Sequence, residues 1–263
     1  MGEVAGPGPR SAPVLAAEDV SVRFGGVTAL EGVSLDVVPG VVCGLIGPNG
    51  SGKTTLFDVL SGIRAPTSGT VRLHRRDVTR RSAAWRSRHG IRRTFQRQQM
   101  FGWLSVEDNV LLALEWRGGG GGMVGDLLAL PTRRRLERER RAQTGAVLEA
   151  CGLHAARHVP AGRLPIGRAR MVEMARAIVD PPKVLLLDEP TSGLERGDVE
   201  ILGRTIQAMR VDHDCAVLLV EHDVGFAMAH CDRMVVLDLG RVIAEGPPDE
   251  IRTNRAVRTA YLG

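Results

Sequence analysis

Residues Gly47-Pro48-Asn49-Gly50-Ser51-Gly52-Lys53-Thr54 fit the pattern G-x-x-x-x-G-K-[ST] at every fixed position. Glycines in such a loop let main-chain N–H groups turn inward around phosphate oxygens, because a residue without Cβ tolerates both the angles and the close approach. Lys53 then supplies an ammonium for the β- and γ-phosphates, the Thr54 hydroxyl a ligand for Mg²⁺, and Thr55 a contact to the α-phosphate. Of the 35 basic residues only Lys53 and Lys183 are lysine. The motif therefore carries a compact ammonium in a chain that otherwise writes its cations as arginine. A second cluster stands at Asp188-Glu189, after the apolar run Val184 to Leu187. At a strand end, one carboxylate can hold Mg²⁺ directly or through water while its neighbour faces an attacking water. Gln96, after IRRTF, can orient a water and ligate the metal; His222, after CAVLLVE, can hydrogen-bond a phosphate oxygen. Together these residues describe the hydrolysis of a nucleoside triphosphate.

The elements needed to position them are legible in the same chain. VVCGLI reads as a fully buried strand, and it runs through the glycine-rich turn into the helix-like KTTLFDVLSG, the context a phosphate loop requires. VLAAEDV and VSLDV read as short alternating strands ahead of it. Later, strand-like KVLLLD, helix-like VEILGRTIQAM, strand-like CAVLLV and strand-like DRMVVLD alternate, which predicts an α/β core with a mainly parallel sheet. Between the two halves, residues 97–172 change texture and read as a helical sub-domain. VEDNVLLALEW and RRRLERERRAQTGAVLEACG are helical there, the second with Glu137 and Arg141 spaced i,i+4. RGGGGGMVG connects them as a flexible segment. Met171, Met174, Ala175 and Ile178 mark one helical face and are expected in the core.

Composition narrows the class. At 43% hydrophobic and 25% charged the chain is neither disordered nor fibrous, and with 3% aromatics its core must be aliphatic. Apolar runs fall far short of the ~20 residues of a membrane-spanning helix. Residues 1–13, MGEVAGPGPRSAP, read as a flexible tail without the apolar stretch of a signal peptide, which points to the cytoplasm. Cys43, Cys151, Cys215 and Cys231 form no CxxC pair and suit reduced, buried thiols. The net charge of +5 comes without a nucleic-acid-binding pattern, so no nucleic acid is expected as a partner.

From about Val14 to its end the chain resembles the ATPase subunits of ABC transporters, and more narrowly those of branched-chain amino acid importers. The strings that carry the resemblance are VRFGGVTAL, GPNGSGKTT, GIRRTFQ with MFGWLSVEDNV, LPIGR, VLLLDEP, SGLE, EHD and the ending EIRTNRAVRTAYLG. The resemblance implies a P-loop NTPase (RecA-like) fold with an N-terminal antiparallel β portion. It places an ABC ATPase domain over 14–245 with the helical insert inside it, and a family-typical C-terminal tail over 246–263. It implies ATP with Mg²⁺, Phe24 stacked on adenine, Gln96 as the Q-loop, Glu189 as catalytic base and His222 as the switch histidine. Gly167 would contact ATP in trans, bound to a second ATPase subunit. Transmembrane permease subunits and, indirectly, an extracytoplasmic solute-binding protein follow as partners, with the chain peripheral on the cytoplasmic face. Phe101 and Trp103 are candidates for permease contact. An exporter ATPase, or an ABC ATPase acting on nucleic acid or the ribosome, would carry the same motifs.

Two positions depart from the family pattern. LPIGR stands where LSGGQ or LSYGQ is usual, so Pro165 offers neither hydroxyl nor N–H and Arg168 replaces Gln. Each lost charge-assisted hydrogen bond is worth ~1.5–3 kcal/mol unless Arg168 reaches the phosphate. Glu195 stands where Asp or Asn is usual. A weakened signature favours a heterodimer with a second, regular ATPase, a homodimer being the other arrangement.

Overall fold

The computed structural model describes residues 12–94, 100–115 and 131–262. In chain order the elements are β1 (Leu15–Phe24), β2 (Val27–Val37), β3 (Val42–Ile46), α1 (Lys53–Ser61), β4 (Ser68–Leu73), β5 (Arg76–Asp77), α2 (Ala83–Arg88) and β6 (Ile91–Arg93). Then come α3 (Val106–Leu112), α4 (Pro131–Ala150), α5 (Ile166–Ile178), β7 (Val184–Asp188), α6 (Arg196–His213), β8 (Ala216–Val220), α7 (Val224–His230), β9 (Arg233–Asp238), β10 (Arg241–Gly246), α8 (Pro248–Thr253) and α9 (Arg255–Leu262).

The central sheet runs β10-β9-β3-β8-β7-β6. All its neighbours pair in parallel except β10, which turns back antiparallel on β9. VCGLI, VLLLD and AVLLV are buried along their whole lengths, as continuous apolar strands covered on both faces must be. The period of two divides each strand between two cores. Leu185, Leu187, Val217 and Leu219 join the core under α3 to α6, while Val184, Leu186, Ala216 and Leu218 join the one under α1 and the second sheet. That second sheet, β2-β1-β4-β5, is antiparallel throughout. The α/β core with a mainly parallel sheet and an antiparallel N-terminal portion is thus observed.

The expected methionine face is in the core: Met171, Met174, Ala175 and Ile178 of α5 are all buried. The four cysteines are buried free thiols. VEDNVLLALEW, expected as one helix, is regular only to Leu112. Ala113 and Leu114 donate to Val110 and Leu111, i→i−3 bonds that tighten the last turn. The glycine-rich connection lies outside the described residues.

The register sets the carboxyl ends of three strands side by side. Leu45 of β3 and Asp188 of β7 both pair with Val220 of β8. In open α/β sheets the crevice beyond such ends is where ligands bind.

Candidate functional site

The loop between β3 and α1 is held from two sides. Gly47 has φ 153°, and a Cβ there would lie 2.0 Å from the Leu237 carbonyl oxygen at the end of β9. Gly52 has φ 108°, and a Cβ there would lie 2.7 Å from both the Ala29 carbonyl and Leu30 Cδ2 of β2. Only glycine fits either place. The Gly240 N–H adds a 3.0 Å hydrogen bond to the Ser51 carbonyl, and Ser51 N–H donates to the Pro48 carbonyl at 3.2 Å. The Ser51 hydroxyl is buried and has no hydrogen-bond partner among the described residues.

Lys53 opens α1, which has no side-chain cap, so the N–H groups of its first turn have no intrahelical acceptor. Its ammonium donates to the Gly47 and Pro48 carbonyls, both at 2.8 Å, and curls back over the loop. Burial lowers the Lys53 pKa, while Glu189 and then Asp188 oppose the shift with their negative field. A cleft of about 310 Å³ lies in front, lined by Asn49, Gly50, Gly52, Lys53, Thr54 and Thr55 from the loop and α1, and by Glu189 and His222 across from them. One wall offers N–H groups, hydroxyls and a cation, the donor set a triphosphate calls for.

The opposite wall carries Glu189, and Asp188 precedes it in the chain. Asp188 ends β7 with 2% exposure; Arg93 Nη2 lies 3.1 Å from its Oδ2, and its Oδ1 is buried without a hydrogen-bond partner among the described residues. Burial raises the Asp188 pKa, and Arg93 draws it back down. Glu189 sits at φ 48°, a left-handed conformation worth of order 1–3 kcal/mol of strain for a side chain with Cβ. Three main-chain bonds hold it there: its N–H to the Val220 carbonyl at 2.9 Å, and its own carbonyl accepting from Arg170 Nη1 at 2.9 Å and Ser192 N–H at 3.3 Å. The turn aims the Glu189 carboxylate at His222, whose Nε2 lies 2.8 Å from Oε1. A carboxylate can only accept, so this imidazole nitrogen carries the hydrogen.

Lys53, Thr54, Thr55, Asn49, Gly50, Gly52, Glu189 and His222 therefore share one cleft. Gly47, Pro48 and Ser51 complete the loop behind it, and Asp188 lies next to Glu189 beneath the wall. Phe24 is not among the lining residues: it ends β1, is exposed, and has the Arg64 guanidinium 4.4 Å from its ring centroid. Gln96 lies outside the described residues. Gly167 is buried in the first turn of α5, where a Cβ would meet the Gly193 carbonyl at 2.5 Å. The Arg168 guanidinium, part-exposed, is engaged within the chain. Its Nη1 donates to the Gly152 carbonyl at 2.7 Å and its Nε lies 3.3 Å from Asp198 Oδ2. Phe101 and Trp103 form an exposed edge-to-face pair.

Sequence reasoning passed over three residues that organise this wall. Arg93 holds Asp188, and Arg170 holds the Glu189 carbonyl. Glu221 is buried, accepting from Thr191 N–H at 2.8 Å and His222 N–H at 3.1 Å, and so links the turn after β7 to the histidine. Only Glu221 carried a signal, an ionisable residue directly after a fully buried strand, which demands a partner.

A family described as "ABC transporter" matches residues 30–192, and one described as "Branched-chain amino acid ATP-binding cassette transporter" matches residues 241–263. The chain is 37% identical over 253 residues to the high-affinity branched-chain amino acid transport ATP-binding protein BraF of Pseudomonas aeruginosa, covering 96% of this chain and 99% of BraF. It is 38% identical, with the same coverage, to the similarly named LivG of Salmonella typhimurium. Among solved structures it matches the ADP conformation of MJ1267, an ATP-binding cassette of an ABC transporter, with a TM-score of 0.81 and 29% identity. That match covers 96% of this chain and 100% of MJ1267.

Proposed function

Because the chain belongs to the family of ABC transporter ATP-binding proteins, we propose that it is the ATP-hydrolysing subunit of an importer for branched-chain amino acids or a similar small polar solute. The observation that carries this reading is the Glu189–His222 pair, 2.8 Å apart, facing Lys53 across one cleft. The names of BraF and LivG, their near-complete coverage and the match of the C-terminal segment support the solute class.

ATP is the substrate. Main-chain N–H groups of residues 47–54 and the first turn of α1 bind its phosphate tail, and Lys53 swings from the Gly47 and Pro48 carbonyls to the β- and γ-oxygens. Phe24 stacks on the base. Glu189 accepts a proton from water as the water oxygen bonds to the γ-phosphorus and the bond to the β–γ bridging oxygen breaks. His222 keeps its Nε2 hydrogen and turns it from Glu189 to hydrogen-bond a γ-phosphate oxygen. Mg²⁺ fits the residues present, since the buried Asp188 Oδ1 is an acceptor lacking a partner among the described residues and the Thr54 hydroxyl lines the cleft. Thr54, Asp188 and Gln96 would hold it, and when bound it neutralises charge on the β- and γ-oxygens.

A second ATPase subunit closes the site, with Gly167 and the start of α5 facing the partner's ATP. Pro165 is the N-cap of α5 and supplies no side-chain bond, and Arg168 is committed to Gly152 and Asp198. This favours a heterodimer in which the partner carries a regular signature. No helix among the described residues is long and apolar enough to cross a membrane, and separate permease subunits supply the path, with this chain on their cytoplasmic face. The experiment is ATP hydrolysis by vesicles holding this chain, its permeases and its partner ATPase. Turnover rising when branched-chain amino acid is added with its binding protein supports the proposal; turnover indifferent to solute, or raised by a lipid instead, overturns it.

A further inference from the structure

Arg93 on β6 is a charged side chain only 8% exposed, with no task in the chemistry above. Its Nη1 reaches Asp58 Oδ1 at 2.6 Å and Ser61 Oγ at 3.1 Å, both on α1, and its Nη2 reaches Asp188 Oδ2 at 3.1 Å. One guanidinium thus joins three pieces of the site: the helix that begins at Lys53 and Thr54, the strand that ends at Asp188, and the strand that leads to Gln96. The fork is planar and rigid. With one nitrogen fixed on α1, the other can bind Asp188 in only a narrow range of carboxylate orientations, and it takes Oδ2. Oδ1 is left buried with no hydrogen-bond partner among the described residues.

We propose that Arg93 is a positioning residue for magnesium: by holding Asp188 Oδ2 it keeps Oδ1 turned to the metal and ties that carboxylate to the helix carrying Thr54. This rests on the assignment of Asp188 to Mg²⁺ above. A bare counter-ion would act in the opposite sense, because a positive charge beside the carboxylate repels a second cation and its removal would tighten metal binding. Asp58, 2.6 Å from Arg93, already offsets that charge, so orientation is the larger effect. Groups that orient metal ligands from behind typically change metal affinity about 10–100-fold when removed.

The test uses the full chain with Glu189→Gln, which leaves ATP intact, and follows ATP affinity by calorimetry across a Mg²⁺ series. Asp188→Asn should abolish the gain in affinity that Mg²⁺ brings. Arg93→Gln should raise the half-effective Mg²⁺ concentration about 10-fold or more while affinity in EDTA stays within about twofold. Arg93→Lys should fall between, since an ammonium can meet Asp188 but not all three anchors. Asp58→Asn, which leaves Asp188 and its partner in place, should shift the Mg²⁺ response the same way by a smaller factor, and it serves if Arg93→Gln does not fold. An unchanged or lowered half-effective Mg²⁺ in these variants, with Asp188→Asn behaving as stated, overturns the positioning role alone. A Mg²⁺ response that survives Asp188→Asn overturns the metal assignment and this inference with it.

Discussion

Replacing Arg86 by methionine should destabilise the fold severely from a site that touches no nucleotide. Arg86 is completely buried, and its guanidinium donates to five carbonyls and, among the described residues, to no carboxylate: Val59 and Leu60 at 2.7 Å, Val78 at 2.7 Å, Thr79 at 3.1 Å and Arg81 at 3.2 Å. Burial pushes its pKa down to about 10, well above neutrality, so the group stays charged in the cell. Val59 and Val78 each keep a main-chain donor, from Gly62 and Arg81. Leu60, Thr79 and Arg81 draw theirs from the guanidinium. Methionine keeps most of the stem but strands those three oxygens, at ~1–3 kcal/mol for the buried Leu60 carbonyl and about 1 kcal/mol each for those of Thr79 and Arg81, which lie nearer the surface. Release of the guanidinium's own desolvation offsets part, leaving about 2–4 kcal/mol. For a chain of this length, at roughly 2 °C per kcal/mol, that is a fall of roughly 4–8 °C in melting temperature. Differential scanning calorimetry of wild type, Arg86→Met and Arg86→Lys measures it, with lysine between the two. A methionine variant melting within about 2 °C of wild type would refute the reasoning, since unpaired buried carbonyls could not then carry the stated penalty.

Other sites give sharper functional or pH readouts. Gly52→Ala places a Cβ 2.7 Å from the Ala29 carbonyl at φ 108°, so it should displace the loop at a penalty of about 1–3 kcal/mol and weaken ATP binding; an ordinary titration curve with unchanged affinity would contradict the packing described. Pro165→Ser restores a hydroxyl at the N-cap of α5 and should raise single-turnover hydrolysis at the partner's ATP roughly 10-fold, with no change expected at this chain's own cleft. His230 packs on Phe226 at 4.3 Å between ring centroids, and burial lowers its pKa below the ordinary 6.5. The unfolded state therefore takes up the proton first, and stability falls as pH drops below that value; His230→Gln should flatten the urea midpoint between about pH 7 and 5.5 relative to wild type.

What was legible depended on whether the chemistry was contiguous. The phosphate loop and Asp188-Glu189 each sit in one short string bounded by a buried strand, so type, spacing and context could be read together. The pairing of Glu189 with His222 joins residues 33 positions apart but was still accessible, because both follow apolar strands whose ends a parallel sheet aligns. Arg93 was not. Its partners Asp58 and Asp188 lie 35 and 95 positions away, and in IRRTF it reads as an ordinary solvated arginine. Arg168 shows the converse limit, since its type suggested a phosphate contact while the local packing of Gly152 and α6 captured it. The last turn of α3 escaped for a subtler reason: apolar periodicity continues past Leu112, but carbonyls at a helix end are as readily met by i→i−3 bonds as by another α turn.

The most direct measurement is calorimetric titration of the full chain with ATP, ADP and AMP in the presence of magnesium, alongside Lys53→Ala. If main-chain donors of the loop and the Lys53 ammonium hold the phosphate tail, ATP binds, AMP does not, and loss of the ammonium weakens ATP about 10- to 100-fold, the equivalent of one charge-assisted contact of ~1.5–3 kcal/mol. Equal binding of ATP and AMP, or a Lys53→Ala variant with wild-type affinity, would contradict it.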